Sequence, residues 1–247
     1  MKHFEHFSQL AVFTKAEAVG DFQSKRSADS ALLEYLKRGL IVHIKRGLYA
    51  VVNPATGQPY AGRYEIATKI AEDAYVAYHS ALEYHGVANQ VFNTVYFCSG
   101  AEVRPFEREG VLYNRLRLSK ALGGILTTEL YAAVRVTDLE RSVVDCIDRL
   151  DLAGGIEEVL TAVNSCAYLD DDKLKKYLDE YGEKYLYQKA GYLLWHAKRN
   201  ELPQEFFIYC KERMGNRRSY MTENRVEEVV LDTAWNLIVP KTIYGGK

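Results

Sequence analysis

The chain has 247 residues, is 48% hydrophobic and 26% charged, and carries a formal net charge of -1 with a pI near 6.6. That balance excludes a largely disordered chain and, on total charge, an indiscriminate nucleic-acid binder. At this size folding buries about 70–75% of the unfolded surface, so no disulfide or metal staple is required. The four cysteines, Cys98, Cys146, Cys166 and Cys210, form no Cys-x-x-Cys pair and read as reduced, mostly buried thiols. The N-terminus mixes Lys2, His3, Glu5 and His6 with phenylalanines, and no run of about 18 apolar residues occurs. Neither a signal peptide nor a membrane span is therefore expected, and a cytoplasmic location is.

In chain order, Phe4, Phe7, Leu10 and Ala11 recur at helical spacing, and Thr14-Lys15-Ala16-Glu17 has the hydroxyl-to-carboxylate offset of a capping box opening a second short helix. Gly20-Asp21 breaks it. A third helix is expected to start near Ser27 as N-cap, with Leu32, Leu33 and Leu36 along one stripe and Lys37 and Arg38 in the last turn. Gly39 ends that helix, because glycine tolerates the left-handed backbone of a helix stop. Residues 40 to 44 and 48 to 52 then read as two short strands joined by Lys45-Arg46-Gly47. Helix, stop and cationic ribbon together predict a winged helix-turn-helix over residues 1–53.

In such a module the third helix lies in the major groove and the ribbon reaches the flanking backbone. Lys25, Arg26, Lys45 and Arg46 are the candidate phosphate contacts, and Ser27, Ser30, Ala31 and Glu34 the base-facing candidates. Residues 25 to 46 hold six cations against two anions, a local balance of +4 in a chain of net charge -1. If half of those cations met phosphates in each half of a dimer, binding would fall with a salt slope of roughly -5, at about -0.9 per phosphate. The competing reading is a winged helix that contacts a protein partner instead, since the acids Asp29 and Glu34 lie on or near the exposed face of the same helix.

Residues 53 to 59, with two prolines and a glycine, read as a linker. Beyond it, a mixed α/β domain is expected over 60–150: helices at 64 to 73 and 80 to 86, strands at 94 to 98, 111 to 118 and 131 to 136, and a helix from a second capping-box pattern, Thr137-Asp138-Leu139-Glu140, through Leu150. From Gly154 onward the chain reads as wholly helical, giving a helical C-terminal region over 151–247. Residues 138 to 185 carry thirteen acids and six bases, which suits the wet faces of amphipathic helices. The fold class expected from the sequence is α+β.

Nothing in the sequence builds a catalytic site, and no catalytic residue, metal or cofactor is expected. His79 and His85 are six residues apart, a rotation of about 600° on a helix, so their imidazoles diverge. Asp170-Asp171-Asp172 precedes a helical stretch, where acids meet the positive end of the dipole. Ser99-Gly100 follows a strand but lacks the spacing of a phosphate-binding loop, and no Gly-x-Ser-x-Gly elbow occurs.

Three segments carry a family resemblance. Residues 33 to 49, Leu-Glu-Tyr-Leu-Lys-Arg-Gly-Leu-Ile-Val-His-Ile-Lys-Arg-Gly-Leu-Tyr, resemble the winged-helix signature of the AbiEi family, the antitoxins of type IV toxin-antitoxin systems. Residues 78 to 86 resemble the helix that opens its antitoxin domain, and residues 136 to 145 a later segment of the same domain, in family order. The resemblance implies an antitoxin that also represses its own operon, binding double-stranded operator DNA at inverted repeats, as a homodimer on DNA. It also implies a functional counterpart, a nucleotidyltransferase-like toxin, opposed without a stable complex. The family's DNA contacts carry over to Lys25, Arg26, Ser30, Lys45 and Arg46.

Overall fold

The structure is a computed structural model that describes residues 2–117, 123–129, 133–198, 201–222 and 228–243. It is an α+β protein whose residues cluster into two compact units. One comprises Met1–Val76, Phe92–Ser119 and Ile125–Val136, the other Ala77–Val91, Lys120–Gly124 and Thr137–Lys247. Both are assembled from non-consecutive segments, so their limits do not coincide with boundaries drawn along the chain at 53/60 and 150/151.

In the first unit, α1 (Lys2–Leu10) is followed by β1 (Val12–Thr14), α2 (Lys15–Gly20) and α3 (Lys25–Lys37). Thr14 caps α2 through the box expected from the sequence: its hydroxyl accepts from the Glu17 amide, and the Glu17 carboxylate accepts from the Thr14 amide at 2.7 Å. The start of α3 differs from expectation. Ser24, not Ser27, is the N-cap, and Ser27 stands at the third helical position, its amide donating to Ser24 Oγ and its hydroxyl to the Ser24 carbonyl at 2.7 Å. Two serines three residues apart can form a reciprocal cap, and this moves the helix start three residues upstream. At the other end, Gly39 (φ +66°) donates to the Leu36 carbonyl and Leu40 to the Tyr35 carbonyl, the paired bonds of a Schellman stop. Leu32 and Tyr35 of α3 are buried with Phe7, Phe13 and Ile41, and Ala28 is buried on the same helix. A buried leucine such as Leu32 contributes roughly 1.5–3 kcal/mol.

After the stop, β2 (Ile41–Lys45) and β3 (Leu48–Val51) pair antiparallel, with Gly47 at φ +81° in the turn. The strand β1 pairs on the other side of β3, giving the order β1-β3-β2. Residues 53 to 59 do not run out as a spacer. The Asn53 amide donates to the Gln58 carbonyl and Val52 bridges Pro59, so the segment folds back as a closed turn.

The unit continues with α4 (Arg63–Lys69) and β4 (Tyr75–Val76) and includes most of a six-stranded sheet. Between these elements and the next strand, the second unit contributes α5 (His79–Tyr84). The sheet is completed by β5 (Thr94–Ser99), β6 (Phe106–Arg108), β7 (Val111–Arg117), β8 (Ile125–Glu129) and β9 (Ala133–Thr137), in the order β6-β7-β5-β4-β9-β8. Strands β5 and β7 are parallel, as are β4 and β9, whereas β4 with β5 and β6 with β7 are antiparallel. The strands expected at 94, 111 and 131 correspond to β5, β7 and β9, except that Leu118, Tyr131 and Ala132 lie outside the described residues; β8, as long as β9, was not expected. The two- and three-residue strands β4 and β6 are too short to show alternation.

In the second unit α6 (Leu139–Asp148) is capped by Asp138, whose carboxylate accepts from the Arg141 amide at 2.8 Å. The capping box read from Thr137 and Glu140 therefore does not form. Glu140 instead accepts from the Asp170 amide and pairs with Lys173. The helix also stops at Asp148, before a 3-10 turn over Leu150–Leu152. Helices α7 (Ile156–Ser165), α8 (Asp171–Tyr181), α9 (Lys184–Lys198) and α10 (Gln204–Arg213) follow. The chain does not stay helical to its end. β10 (Ser219–Tyr220), β11 (Val229–Asp232) and β12 (Leu237–Pro240) make a second three-stranded sheet, with β11 and β12 antiparallel around a turn in which Asn236 takes φ +48° and Asp232 accepts from the Trp235 amide. The β-branched residues Val229, Val230, Ile238 and Val239 explain the strands. Among the described residues, no helix is long and apolar enough to cross a membrane.

Candidate nucleic-acid interface

The cap of α2 sets the geometry of a shallow basin. Thr14 is at once the last residue of β1, paired with Leu48, and the cap of α2. The next amide, that of Lys15, donates to the Gly47 carbonyl at 2.7 Å, which ties the start of α2 to the tip of the hairpin. Around this tie Lys15, Lys25, His43, Arg46 and Tyr49 line a concavity of about 750 Å³. Arg46 and Lys25 are exposed, and the tip lies on paired strands.

Four cations predicted to contact phosphates thus fall into three places. Lys25 and Arg46 come together in the basin. Arg26 stands on the outward ridge of α3 with Ser30, Leu33 and Lys37, opposite the buried face of Ala28, Leu32 and Tyr35. Lys45 points away, its ammonium 5.3 Å from the centre of the Phe106 ring, and burial pulls its pKa below the usual lysine value. The cause is a register shift between His43 and Lys45. Strict alternation would place both side chains on one face; the bulge separates them, so His43 joins the basin and Lys45 packs on the six-stranded sheet.

The residues expected to face bases are also differentiated. Ser30 and Glu34 are exposed, whereas Ala31 is half-buried against the core beneath α3 and the Ser27 hydroxyl is engaged in the helix cap. Leu33, assigned to the apolar stripe on sequence, is instead 58% exposed. The acids are partnered: Asp29 pairs with Lys15 at 2.6 Å, and Glu34 with Arg38 one turn along at 3.4 Å. The hydrogen bond to Asp29 raises the Lys15 pKa, so its ammonium remains charged in the basin.

Lys15, His43 and Tyr49 were not read from the sequence. Tyr49 holds His43 edge-to-face at 5.4 Å between ring centres. The only sequence trace of Lys15 is its place one residue after a cap, which says nothing about the hairpin that the cap meets.

The other polar constellations are bound up within the fold. His79 is fully buried, with Nδ1 3.0 Å from Glu83 and Nε2 3.1 Å from Glu158, while His85 Nε2 lies 2.7 Å from the Thr137 carbonyl. The Asp170 carboxylate caps α8 by accepting from the Asp172 and Lys173 amides. Ser99 Oγ and the Gly100 amide both donate to Asp73, at 2.5 and 2.6 Å, which closes the turn after β5. All four cysteines are buried, and burial pushes the Cys166 thiol up to about 11 and the Cys210 thiol to about 12.

No family model matches the chain, and no curated protein matches it. Among solved structures, the chain is similar to the RV2827C protein from Mycobacterium tuberculosis, at 16% identity and a TM-score of 0.68, over 96% of this chain and 89% of that one. At that identity the likeness is one of fold, and it extends over almost the whole length of both chains.

Proposed function

We propose that the protein is a DNA-binding regulator of the AbiEi antitoxin kind, with α2, α3 and the β2–β3 hairpin acting as a winged helix-turn-helix on double-stranded operator DNA. The observation that carries this reading is the convergence of Lys15, Lys25, His43 and Arg46 on one open concavity beside the exposed ridge of α3. Cations at the mouth of a groove and short polar side chains on a neighbouring helix are the chemistry of phosphate positioning and base-edge contact. Repression of its own operon and opposition to a nucleotidyltransferase-like toxin rest on the resemblance of residues 33 to 49, 78 to 86 and 136 to 145 alone.

Gel shifts with the DNA upstream of the gene and with an unrelated duplex test the reading. Preferential binding of the upstream fragment, weakened in a Lys25→Ala, Arg46→Ala double variant, is the expected result. Equal binding of both fragments, or an unaffected double variant, overturns it.

One observation favours a second reading, a winged helix that docks a protein. Leu33 is 58% exposed on the outward ridge of α3. An apolar side chain there suits either a thymine methyl or a protein partner. Retention of a partner protein by the wild type but not by Leu33→Asp, with no preference for the upstream DNA, would select this alternative.

A further inference from the structure

The second unit contains a pocket of about 1010 Å³ between the start of α9 and the loop that joins α10 to β10. Its wall is fixed from behind. Gln188, 1% exposed, donates from Nε2 to the carbonyls of Gly215 and Arg217 at 3.4 and 3.1 Å and to that of Asn236 at 3.2 Å, and Asn236 Nδ2 donates to the Asn216 carbonyl at 2.7 Å. These bonds tie down the loop on which Arg217 and Arg218 are exposed, and both line the pocket with Lys184.

The charge of the lining runs against that of its surroundings. Residues 138 to 185 are strongly acidic, yet the pocket gathers Arg149, Lys184, Lys189, Arg217 and Arg218 against two acids, Asp148 and Glu183. Asp148 already accepts from the Tyr185 hydroxyl at 2.7 Å, and Arg149 is paired with Asp151. Lys184, Arg217 and Arg218 form no ion pair with any described residue. Structural cations in this unit do find carboxylates, as Lys173, Lys175 and Arg141 show. Three that do not, facing one concavity, leave positive charge aimed at whatever enters. Aromatic surface lies beside them: Tyr220, 40% exposed, and Tyr185, over whose ring the buried Lys189 ammonium sits at 5.3 Å.

We infer that this pocket binds a nucleotide, with its phosphates on Lys184, Arg217 and Arg218 and its base against Tyr220. Guanidinium forks match phosphate oxygens in pairs, and a tyrosine ring stacks on any base. The volume is of the size that holds a small ligand rather than a groove for a duplex. The pocket shares no residue with the basin in the first unit, so its test is independent of operator binding.

Isothermal titration of the full-length protein with adenosine triphosphate, guanosine triphosphate, inorganic tripolyphosphate and a short DNA duplex decides the matter. Saturable binding of either nucleoside triphosphate is expected, weakened at least about tenfold in an Arg217→Ala, Arg218→Ala variant that keeps its circular dichroism spectrum. Tyr220→Ala should weaken the nucleotides and leave tripolyphosphate unaffected. Four results overturn the inference: no saturable heat, an unaffected double arginine variant, tripolyphosphate binding as tightly as the nucleotides with Tyr220→Ala silent, or displacement of the nucleotide by the duplex.

Discussion

At the scale of single residues, serine and aspartate side chains fix where the elements of the first unit begin and end. Ser24 gives α3 its first turn through a reciprocal cap with Ser27. Replacing Ser24 by alanine is expected to cost about 1 kcal/mol, read as a lower midpoint in thermal or denaturant unfolding, with Ser24→Asp restoring most of it. Asp73 plays a comparable part after β5. The Ser99 hydroxyl, and after it the Gly100 amide, hold its carboxyl below the usual aspartate value, more than offsetting the partial burial that would raise it. Because its folded pKa is depressed, its contribution is present in full above the unfolded value and is lost as the pH falls through the folded one. For this exposed carboxylate the difference between wild type and Asp73→Asn should be about 1 kcal/mol near neutrality and shrink towards zero as the pH falls below the folded pKa. A difference that persisted in acid would show that the asparagine acts through packing instead.

At the scale of elements, glycine positions discriminate between contacts that tolerate change and contacts that do not. A methyl group on Gly191 of α9 would overlap the ring of Trp235 in the turn between β11 and β12. Gly191→Ala is accordingly expected to destabilise the protein by roughly 1–3 kcal/mol in chemical denaturation, with Trp235 fluorescence reporting the altered packing. If the variant were as stable as wild type, the packing of α9 against that turn would be wrong. Elements with local punctuation were legible in the sequence: the Thr14–Glu17 box, the stop at Gly39 and the hairpin closed by Gly47 all appear where expected. Elements specified by distant partners were not. Strands β4 and β6 carry too few residues to alternate; β11 and β12, by contrast, are apolar, β-branched runs on either side of residues 232 to 236, a local strand signal whose turn is set by Asn236 in left-handed backbone and an Asp232 side-chain bond. The separation of His43 from Lys45 was likewise illegible, because a bulge is decided by pairing rather than by composition.

At the scale of the whole molecule, a net charge of -1 conceals two concave cationic surfaces, one in each compact unit. The first was partly foreshadowed by the +4 balance of residues 25 to 46, from which Lys25 and Arg46 reach the basin while Lys45 does not. The second had no signature in the sequence, since Lys184, Lys189, Arg217 and Arg218 are brought together only by the packing of α9 against a loop fixed by Gln188. The regulator reading depends on the first of these surfaces meeting a duplex, and its electrostatics can be counted. Fluorescence anisotropy of labelled upstream DNA, titrated at salt concentrations between about 50 and 200 mM, measures the number of phosphates engaged. The account predicts a steep linear loss of affinity with salt whose slope becomes shallower by about 1 for each site occupied in Lys25→Ala and in Arg46→Ala, and stays nearly unchanged in Lys45→Ala. Binding indifferent to salt, or a slope altered by Lys45→Ala but not by Arg46→Ala, would contradict it.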